Sequence, residues 1–398
     1  MQINRTQFSF FGRREVKALY GTLALITFGE GLINIFVPIF LWKMGFAIWQ
    51  ILFFYFLHSV YFVILTFATL PILDRMSDKM MMFLSVPLMI LYFFGLNYIA
   101  EIPYLFLILP LILALNTLFF DVGYNLDFSQ TVDDKKIGRE IGTRNTISAL
   151  VHFSAPFIGG ALIVFYGFSV TFFIASLILF GAVVPLFFFP HRHLATNLKR
   201  GQILRFLFGR GIQNFNISGI GYSTELIIGG LLWPMFIFFA VNNIESLGGI
   251  ISVGLFASAI TTYFVGLLSD SGDRRKILSI TTILFATIWA TRIFTTSPNA
   301  IIISNVIGNI IAAALMVAWS SQFYKIAKAV THPSLFILSR EVLYFLSRIV
   351  FLPILMVLSC VLTIQNFFMV SFGLAALLQL LFLFANRFHL NDLTAMNE

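Results

Sequence analysis

The chain has 398 residues, of which 59% are apolar and only 11% are charged. Soluble proteins carry roughly 25% charged residues. A soluble enzyme, nucleic-acid binder or disordered scaffold of this length would therefore have too little polar surface. The net charge of +8 does not indicate a polynucleotide partner, because most Lys and Arg residues lie in short connectors between long apolar runs.

Twelve apolar segments are each long enough to cross a bilayer as a helix, which takes about 20 residues. The sequence therefore predicts an all-α membrane protein with about twelve spans. We place them at 19–42, 49–72, 81–100, 104–127, 139–164, 168–190, 216–240, 247–268, 277–296, 299–322, 335–358 and 365–386. The connector 191–215 is basic and rich in Leu and Phe, which favours an interfacial helix over a plain basic linker.

Positive charge predicts the orientation of these spans. The N-terminus, residues 191–215 and the connectors on their side carry nearly all loop Lys and Arg, whereas the opposite connectors hold only Lys43. Such a bias places both termini in the cytoplasm. We expect a multi-pass protein of a cell membrane, and of a bacterial inner membrane in particular.

The two halves of the chain share sequence features at a fixed offset. The connector after the second predicted span begins at Asp74, and the one after the eighth begins at Asp270, 196 residues later. Pro38 and Pro234 are separated by the same number of residues. These matches predict two homologous six-helix bundles, 1–190 and 216–398, joined by 191–215.

These connectors resemble the loop signature of the major facilitator superfamily, which runs roughly G-x-L-x-D-R-x-G-R-K. The first copy keeps Asp74, Arg75 and Lys79, with Leu70 and Ser77 at the glycine positions. The second copy keeps its residues at Gly266, Leu268, Asp270, Arg274 and Arg275. The resemblance implies a transporter of two pseudo-symmetric bundles that generally works as a monomer.

The resemblance also implies a latch between the bundles. Asp74 would contact the start of the eleventh span, and Asp270 the start of the fifth. Both spans begin with an Arg-Glu pair, Arg139-Glu140 and Arg340-Glu341. Alternatively, these are solvated charges that only set the topology.

The fifth span contains Ala155-Pro156-Phe157-Ile158-Gly159-Gly160, with Gly142 upstream. This is similar to the G-P-x-x-G-G signature of proton-coupled antiporters, including drug exporters. The alternative is that Gly159 and Gly160 only allow close helix packing and that Pro156 is a kink.

Ionisable residues within spans mark candidate functional groups, because a charge at mid-membrane costs about 3 kcal/mol on insertion scales. Glu30, on a helical stripe with Asn34, is the leading proton-coupling candidate, followed by Glu225 in the seventh span. A permanent ion pair with Arg144 or Arg348 is the alternative for either acid. Lower-ranked cavity candidates, each of which has an alternative role in joining helices, are Asp121, His58, His152, Asn305 and Asn309. Arg292 is expected to snorkel to the lipid headgroups.

We therefore predict a secondary transporter, not an enzyme, that works by alternating access. The sequence shows no metal-ligand cluster and no phosphate-binding loop, so we expect no cofactor and a proton gradient in place of ATP. The antiporter-like motif and Glu30 favour export of a small amphiphilic or cationic compound. Proton-linked uptake of a small polar solute and translocation of a lipid or lysolipid are the alternatives.

Overall fold

The computed structural model describes residues 21–73, 75–131, 137–183, 200–269, 274–330 and 333–388. Only the backbone is described for 125–131, 137–150 and 266–269, and for residues 183, 210, 274 and 328. Every regular element within these ranges is helical. The predicted all-α class is confirmed.

The first part of the chain forms six helices. They are α1 Gly21–Lys43, α2 Ile48–Leu73, α3 Asp78–Leu96, α4 Leu105–Thr131, and a segment Ile137–Val183 that comprises α5 (137–166) and α6 (168–183). Gly167 divides this last segment with φ of +82°, a conformation that side chains with a Cβ rarely adopt.

A short helix and six longer ones follow. They are α7 Arg200–Phe208, α8 Gln213–Val241, α9 Ile244–Ser269, α10 Arg274–Arg292, α11 Pro298–Ala329, α12 Pro333–Val361 and α13 Ile364–Gln379, which continues as a 3₁₀ helix to Arg387. Side-chain caps fix several starts: Ser77 accepts from Met80 N, Ser297 from Ala300 N, and Thr363 from Asn366 N.

Ten segments of the described chain are long and apolar enough to cross a membrane. One of them, Val151–Ala182, contains the break at Gly167, and α10 is not among the ten. The protein is therefore a multi-pass membrane protein by length and composition.

The helices before α7 meet those after it mainly along two pairs, with α5 and α6 against α9 and α2 against α12. Where α5 crosses α9, a Cβ on Gly248 would lie 2.5 Å from the Pro156 carbonyl oxygen. Where α2 meets α12, the rings of Phe62 and Phe345 stack with centroids 3.8 Å apart. Both pairs are therefore closely packed.

The helix α7 lies beside this second pair. Ile203 and Leu207 are buried in one apolar cluster with residues of α2 and α12, whereas Leu204 is 47% exposed. The Asn216 side-chain amide donates to the carbonyls of Phe206 and Leu207, at 2.8 and 2.9 Å. The last turn of α7 is thereby satisfied and tied to α8.

Two spans are irregular at equivalent positions. A 3₁₀ turn, Asn34–Phe36, interrupts α1 before Pro38, and a π-helical turn, Ile228–Leu232, interrupts α8 before Pro234. Proline cannot donate a hydrogen bond to the carbonyl four residues earlier, which belongs to Asn34 in one span and to Gly230 in the other. Local irregularity therefore follows from the two prolines, and it shapes the site described next.

Candidate functional site

A cavity of about 270 Å³ lies between the helices of the two parts of the chain. Its wall comes from α1, α2, α3 and α4 on one side and from α8 and α12 on the other. The lining residues are Asn34, Ile35, Val37, Tyr55, His58, Tyr92, Leu113, Thr117, Leu226, Ile227, Gly230, Leu231 and Arg348. Both proline-associated breaks contribute, through Asn34 and Gly230.

Arg348 supplies the charge in this wall. Its guanidinium lies 4.5 Å from the centre of the Phe345 ring. In the described part of the chain Arg348 forms no ion pair, and its buried Nε has no hydrogen-bond partner. The guanidinium is therefore available to a bound molecule.

A polar pair from α2 and α4 also lines the cavity. His58 Nε2 lies 3.3 Å from Thr117 Oγ1. The positive charge of Arg348 acts on the His58 ring. Thr117 Oγ1 in turn donates to the Leu113 carbonyl at 2.8 Å. His58 was predicted as either a proton relay or a helix cross-link, and this contact joins α2 to α4.

Glu30 and Asp121, both predicted for the cavity, lie within electrostatic range of each other but are not among the residues that line it. Asp121 lies within electrostatic range of Glu30, Arg340, Glu341 and Arg348. Glu30 is half-buried on α1, and its carboxyl group forms no hydrogen bond or ion pair in the described part of the chain. The structure thus brings together acids from α1, α4 and α12 with two arginines of α12.

Arg340 and Glu341 take part in this cluster. Their side chains pair with each other, and the Arg340 guanidinium lies 4.0 Å from the centre of the Phe323 ring. Glu341 is 7% exposed, two turns inside α12. This burial and pairing make Glu341 part of the buried cluster, not a solvated charge at the start of the span.

Glu225 points away from the cavity, although its neighbours Leu226 and Ile227 line it. Its Oε2 accepts hydrogen bonds from Trp289 Nε1 at 3.0 Å and from Gln379 Nε2 at 2.9 Å. The Glu225 carboxylate therefore lies among α8, α10 and α13 and not in the lining of this cavity, where it was expected.

Arg292 belongs to the same interior, and the prediction that it snorkels to headgroups is wrong. It is only 4% exposed, and its guanidinium lies 3.8 and 4.1 Å from the ring centres of Trp233 and Trp289. It also donates to Ser304, and the charge of Glu225 acts on it. Cation–π contacts with two indoles stabilise the guanidinium away from water.

The asparagines of α11 join helices. Asn305 accepts from Trp233 Nε1 at 3.0 Å and donates to the Ile250 carbonyl at 2.6 Å. Asn309 donates to the carbonyl and side-chain oxygen of Asn305. Neither residue lines the described cavity, and these hydrogen bonds match the helix-joining alternative.

The loop-signature predictions fall partly outside the described residues. Asp74 and Asp270 lie outside them, and only the backbone is described for Arg139, Glu140, Gly142, Arg144, Gly266 and Arg274. Arg75 and Arg275 are exposed, whereas Lys79 is 3% exposed. The latch itself remains a prediction.

The glycines of the antiporter-like motif sit at close helix crossings. A Cβ on Gly159 would overlap the Leu32 carbonyl of α1, and one on Gly160 would lie 3.2 Å from the Ile244 carbonyl of α9. Pro156 is buried, and its carbonyl meets Gly248. This geometry matches the packing alternative. His152, on the same helix, is exposed and does not line the cavity.

Sequence reasoning did not find Tyr55, Tyr92 or Thr117 as cavity residues, nor Trp289 and Gln379 as the partners of Glu225. Aromatic residues are 17% of the chain, including 49 phenylalanines. A single aromatic residue in this sequence therefore does not indicate a cavity position. The position of His58, one turn after Tyr55 on α2, was the signal that could have placed Tyr55 on this face.

The fold is shared with solved transporters. The structure of the E. coli fucose:proton symporter FucP matches with a TM-score of 0.68 and 13% identity, over 94% of this chain and 98% of that one. The nucleoside transporter NupG matches with 0.68 and 13%, over 96% and 99%. The human organic anion transporter MFSD10 matches with 0.65 and 14%, over 94% and 99%. The sequence itself matches no family model and no curated protein.

The chain therefore has the fold of these three solved transporters.

Proposed function

We propose that the chain is a secondary active transporter that moves a small molecule through the cavity by alternating access. The observation that carries this proposal is the cavity wall, to which α1–α4 and α8 with α12 all contribute. A site at the boundary of two packed bundles can open to either side when the bundles rock. The transport roles named for all three solved neighbours support the same function.

The topology proposed is twelve spans with both termini in the cytoplasm. Gly167 divides one apolar segment into two helices, and α10 has 19 residues, enough to cross a bilayer. The bundles would be 1–190 and 216–398, and α7 would lie in the linker 191–215. We place the protein in a cell membrane, of bacterial inner-membrane type, as a monomer without a cofactor. Asp74 and Asp270 are proposed to latch the bundles on the cytoplasmic side.

Proton coupling is proposed to use Glu30. Glu30 is half-buried, and its carboxyl group has no hydrogen-bond or ion-pair partner in the described part of the chain. Its charge acts on the carboxyl group of Asp121. Burial favours the neutral form of a carboxyl group, and a change in nearby charge reverses that preference. Glu30 is thus suited to take up and release a proton as the site changes its exposure.

The direction of transport has two candidates. Export of amphiphilic or cationic compounds follows from the antiporter-like motif, and proton-linked uptake of a solute follows from the symporter named among the solved neighbours. Lipid or lysolipid translocation is favoured less, because a cavity of about 270 Å³ lies below the roughly 300–1,000 Å³ of sites for drug-sized ligands.

Alternating access can be tested without a known substrate. A Gly230→Cys reporter projects into open space, since nothing lies within 4 Å of a Cβ there. The exposed Cys360 is first replaced by Ser to remove the background thiol. In oriented vesicles, a membrane-impermeant maleimide should label the reporter from either side. Labelling from one side only, under all gradients, would contradict the proposal.

The role of Glu30 is tested in the same vesicles. An imposed pH gradient should redistribute reporter labelling between the two sides, and Glu30→Gln should abolish that response while leaving total labelling intact. Glu101→Gln, at an exposed glutamate between α3 and α4, is the matched control. A Glu30→Gln protein that still responds fully to pH would remove Glu30 from the coupling role.

A further inference from the structure

The charge of the cavity wall bears on what the cavity binds. Among the described residues that line it, Arg348 is a permanent cation and no carboxylate is present. Glu341 and Asp121 act on the Arg348 charge from outside the lining. The buried Arg348 Nε has no hydrogen-bond partner among the described residues, and a bound anion would supply one directly.

Residues that can donate hydrogen bonds also line the cavity. Tyr55, His58 and Asn34 belong to the lining, and the charge of Arg348 acts on the His58 ring. A guanidinium presents its N–H groups as a planar fork that matches the two oxygens of a carboxylate. One pole of the cavity is therefore suited to an acidic group.

Apolar side chains of α8 and α1 also line the cavity. Leu226, Ile227 and Leu231 of α8 line it together with Ile35 and Val37 of α1. Such a wall can desolvate a flat or branched hydrocarbon body, at roughly 25 cal/mol for each Å² of apolar surface removed from water. The small cavity volume limits that body to about the size of one aromatic ring with substituents.

We propose that the cavity binds a small amphiphilic organic anion, with its acidic group on Arg348 and its apolar body against α8. This inference rests on the proposed transport function and names its substrate class. It selects against cationic cargo, because a cation in the cavity would meet the Arg348 guanidinium with no lining carboxylate to compensate.

Three probes of one shape test the charge preference: benzoate, neutral benzamide and cationic benzylamine. Purified Gly230→Cys, Cys360→Ser protein is exposed to a fluorescent maleimide with each probe over a concentration series. Benzoate should slow labelling of the reporter at concentrations at least 10-fold below those needed for the other two. Equal protection by all three, better protection by benzylamine, or no protection by any of them would overturn the inference.

Substitution of the cation gives a second measurement. Arg348→Met should raise the benzoate concentration for half-protection at least 10-fold. Arg348→Lys should have a smaller effect, because lysine keeps the positive charge but lacks the planar guanidinium that binds both carboxylate oxygens. Arg205→Met, at an exposed arginine of α7, is the matched control and should change nothing. If Arg348→Met does not fold, the charge preference of the unsubstituted Arg348 protein still decides the question.

The outcomes separate this inference from the transport proposal. If the reporter is labelled from both sides of the membrane but is not protected by benzoate, alternating access is supported and binding of an organic anion is contradicted. A reporter labelled from one side only, but protected by benzoate through Arg348, indicates an anion-binding protein that does not transport.

Discussion

Phe62 of α2 and Phe345 of α12 stack with ring centroids 3.8 Å apart and interplanar angle 19°. Both are almost fully buried, at 0% and 2% exposure, in the cluster that also holds Ile203 of α7. The pair therefore joins helices from the two parts of the chain beside α7.

We expect Phe62→Ala to favour opening beside α7. An aromatic pair contributes about 0.5–1.5 kcal/mol beyond its buried area, which corresponds to a change of about 2- to 12-fold in the populations of the two facing states. Labelling of the Gly230→Cys reporter by an impermeant maleimide from the α7 side should rise by that factor. Phe180→Ala, at a ring that is 69% exposed, is the control. An equal effect of both substitutions would argue against a closing contact.

The crossing of α5 and α9 gives a prediction with an adjacent control. Gly248→Ala would place its Cβ 2.5 Å from the Pro156 carbonyl oxygen, whereas nothing lies within 4 Å of a Cβ on Gly249. Overpacking a close contact costs about 1–3 kcal/mol. The apparent Tm of purified protein in detergent should therefore fall for Gly248→Ala and stay unchanged for Gly249→Ala. Equal Tm values for the two variants would show that this crossing relaxes without cost.

The Glu225 and Arg292 charges should be energetically coupled. Removing one member of a buried charge pair costs about 3–5 kcal/mol, whereas replacing both is often close to neutral. Arg292→Met alone should therefore lower the apparent Tm, because it removes the cation–π contacts with Trp233 and Trp289 and the positive charge that acts on Glu225. The double variant Glu225→Gln, Arg292→Met should recover part of that loss. Additive losses in the double-mutant cycle would mean that the two charges are independent.

Much of the architecture was predictable because hydrophobic length and charge asymmetry act on whole segments. The predicted spans 49–72 and 335–358 lie within α2 Ile48–Leu73 and α12 Pro333–Val361. The spacing of Pro38 and Pro234 indicated equivalent positions, and both prolines follow a local break that lines the cavity.

The sequence predicted that Glu30, Asp121 and Arg348 need polar surroundings, but not which of them lie close to one another. Each is a costly charge at membrane depth and so needs an aqueous or polar surrounding. Helical periodicity could not decide whether these side chains pair with one another. That depends on how α1, α4 and α12 are placed in space, which the sequence of one helix does not determine.

The surroundings of Glu225 and Arg292 were not predictable because their partners come from other helices. The Glu225 carboxylate accepts from Trp289 of α10 and Gln379 of α13, and Arg292 of α10 contacts the Trp233 ring of α8. Only the tertiary structure brings these side chains together.

The helix α7 provides the last prediction, because two adjacent residues have opposite surroundings. Ile203 is 0% exposed and packs in the cluster with Leu335 and Leu338 of α12, whereas Leu204 is 47% exposed. Truncating a buried Ile to Ala costs about 2–5 kcal/mol, so Ile203→Ala should detach α7 from α12. Limited proteolysis near residues 200–208 should then accelerate, while Leu204→Ala should leave the cleavage rate close to that of the unsubstituted chain. Since the same cluster contains Phe62 and Phe345, Ile203→Ala should also raise reporter labelling from the α7 side. Accelerated proteolysis without that rise would show that α7 covers the closing contact without supporting it.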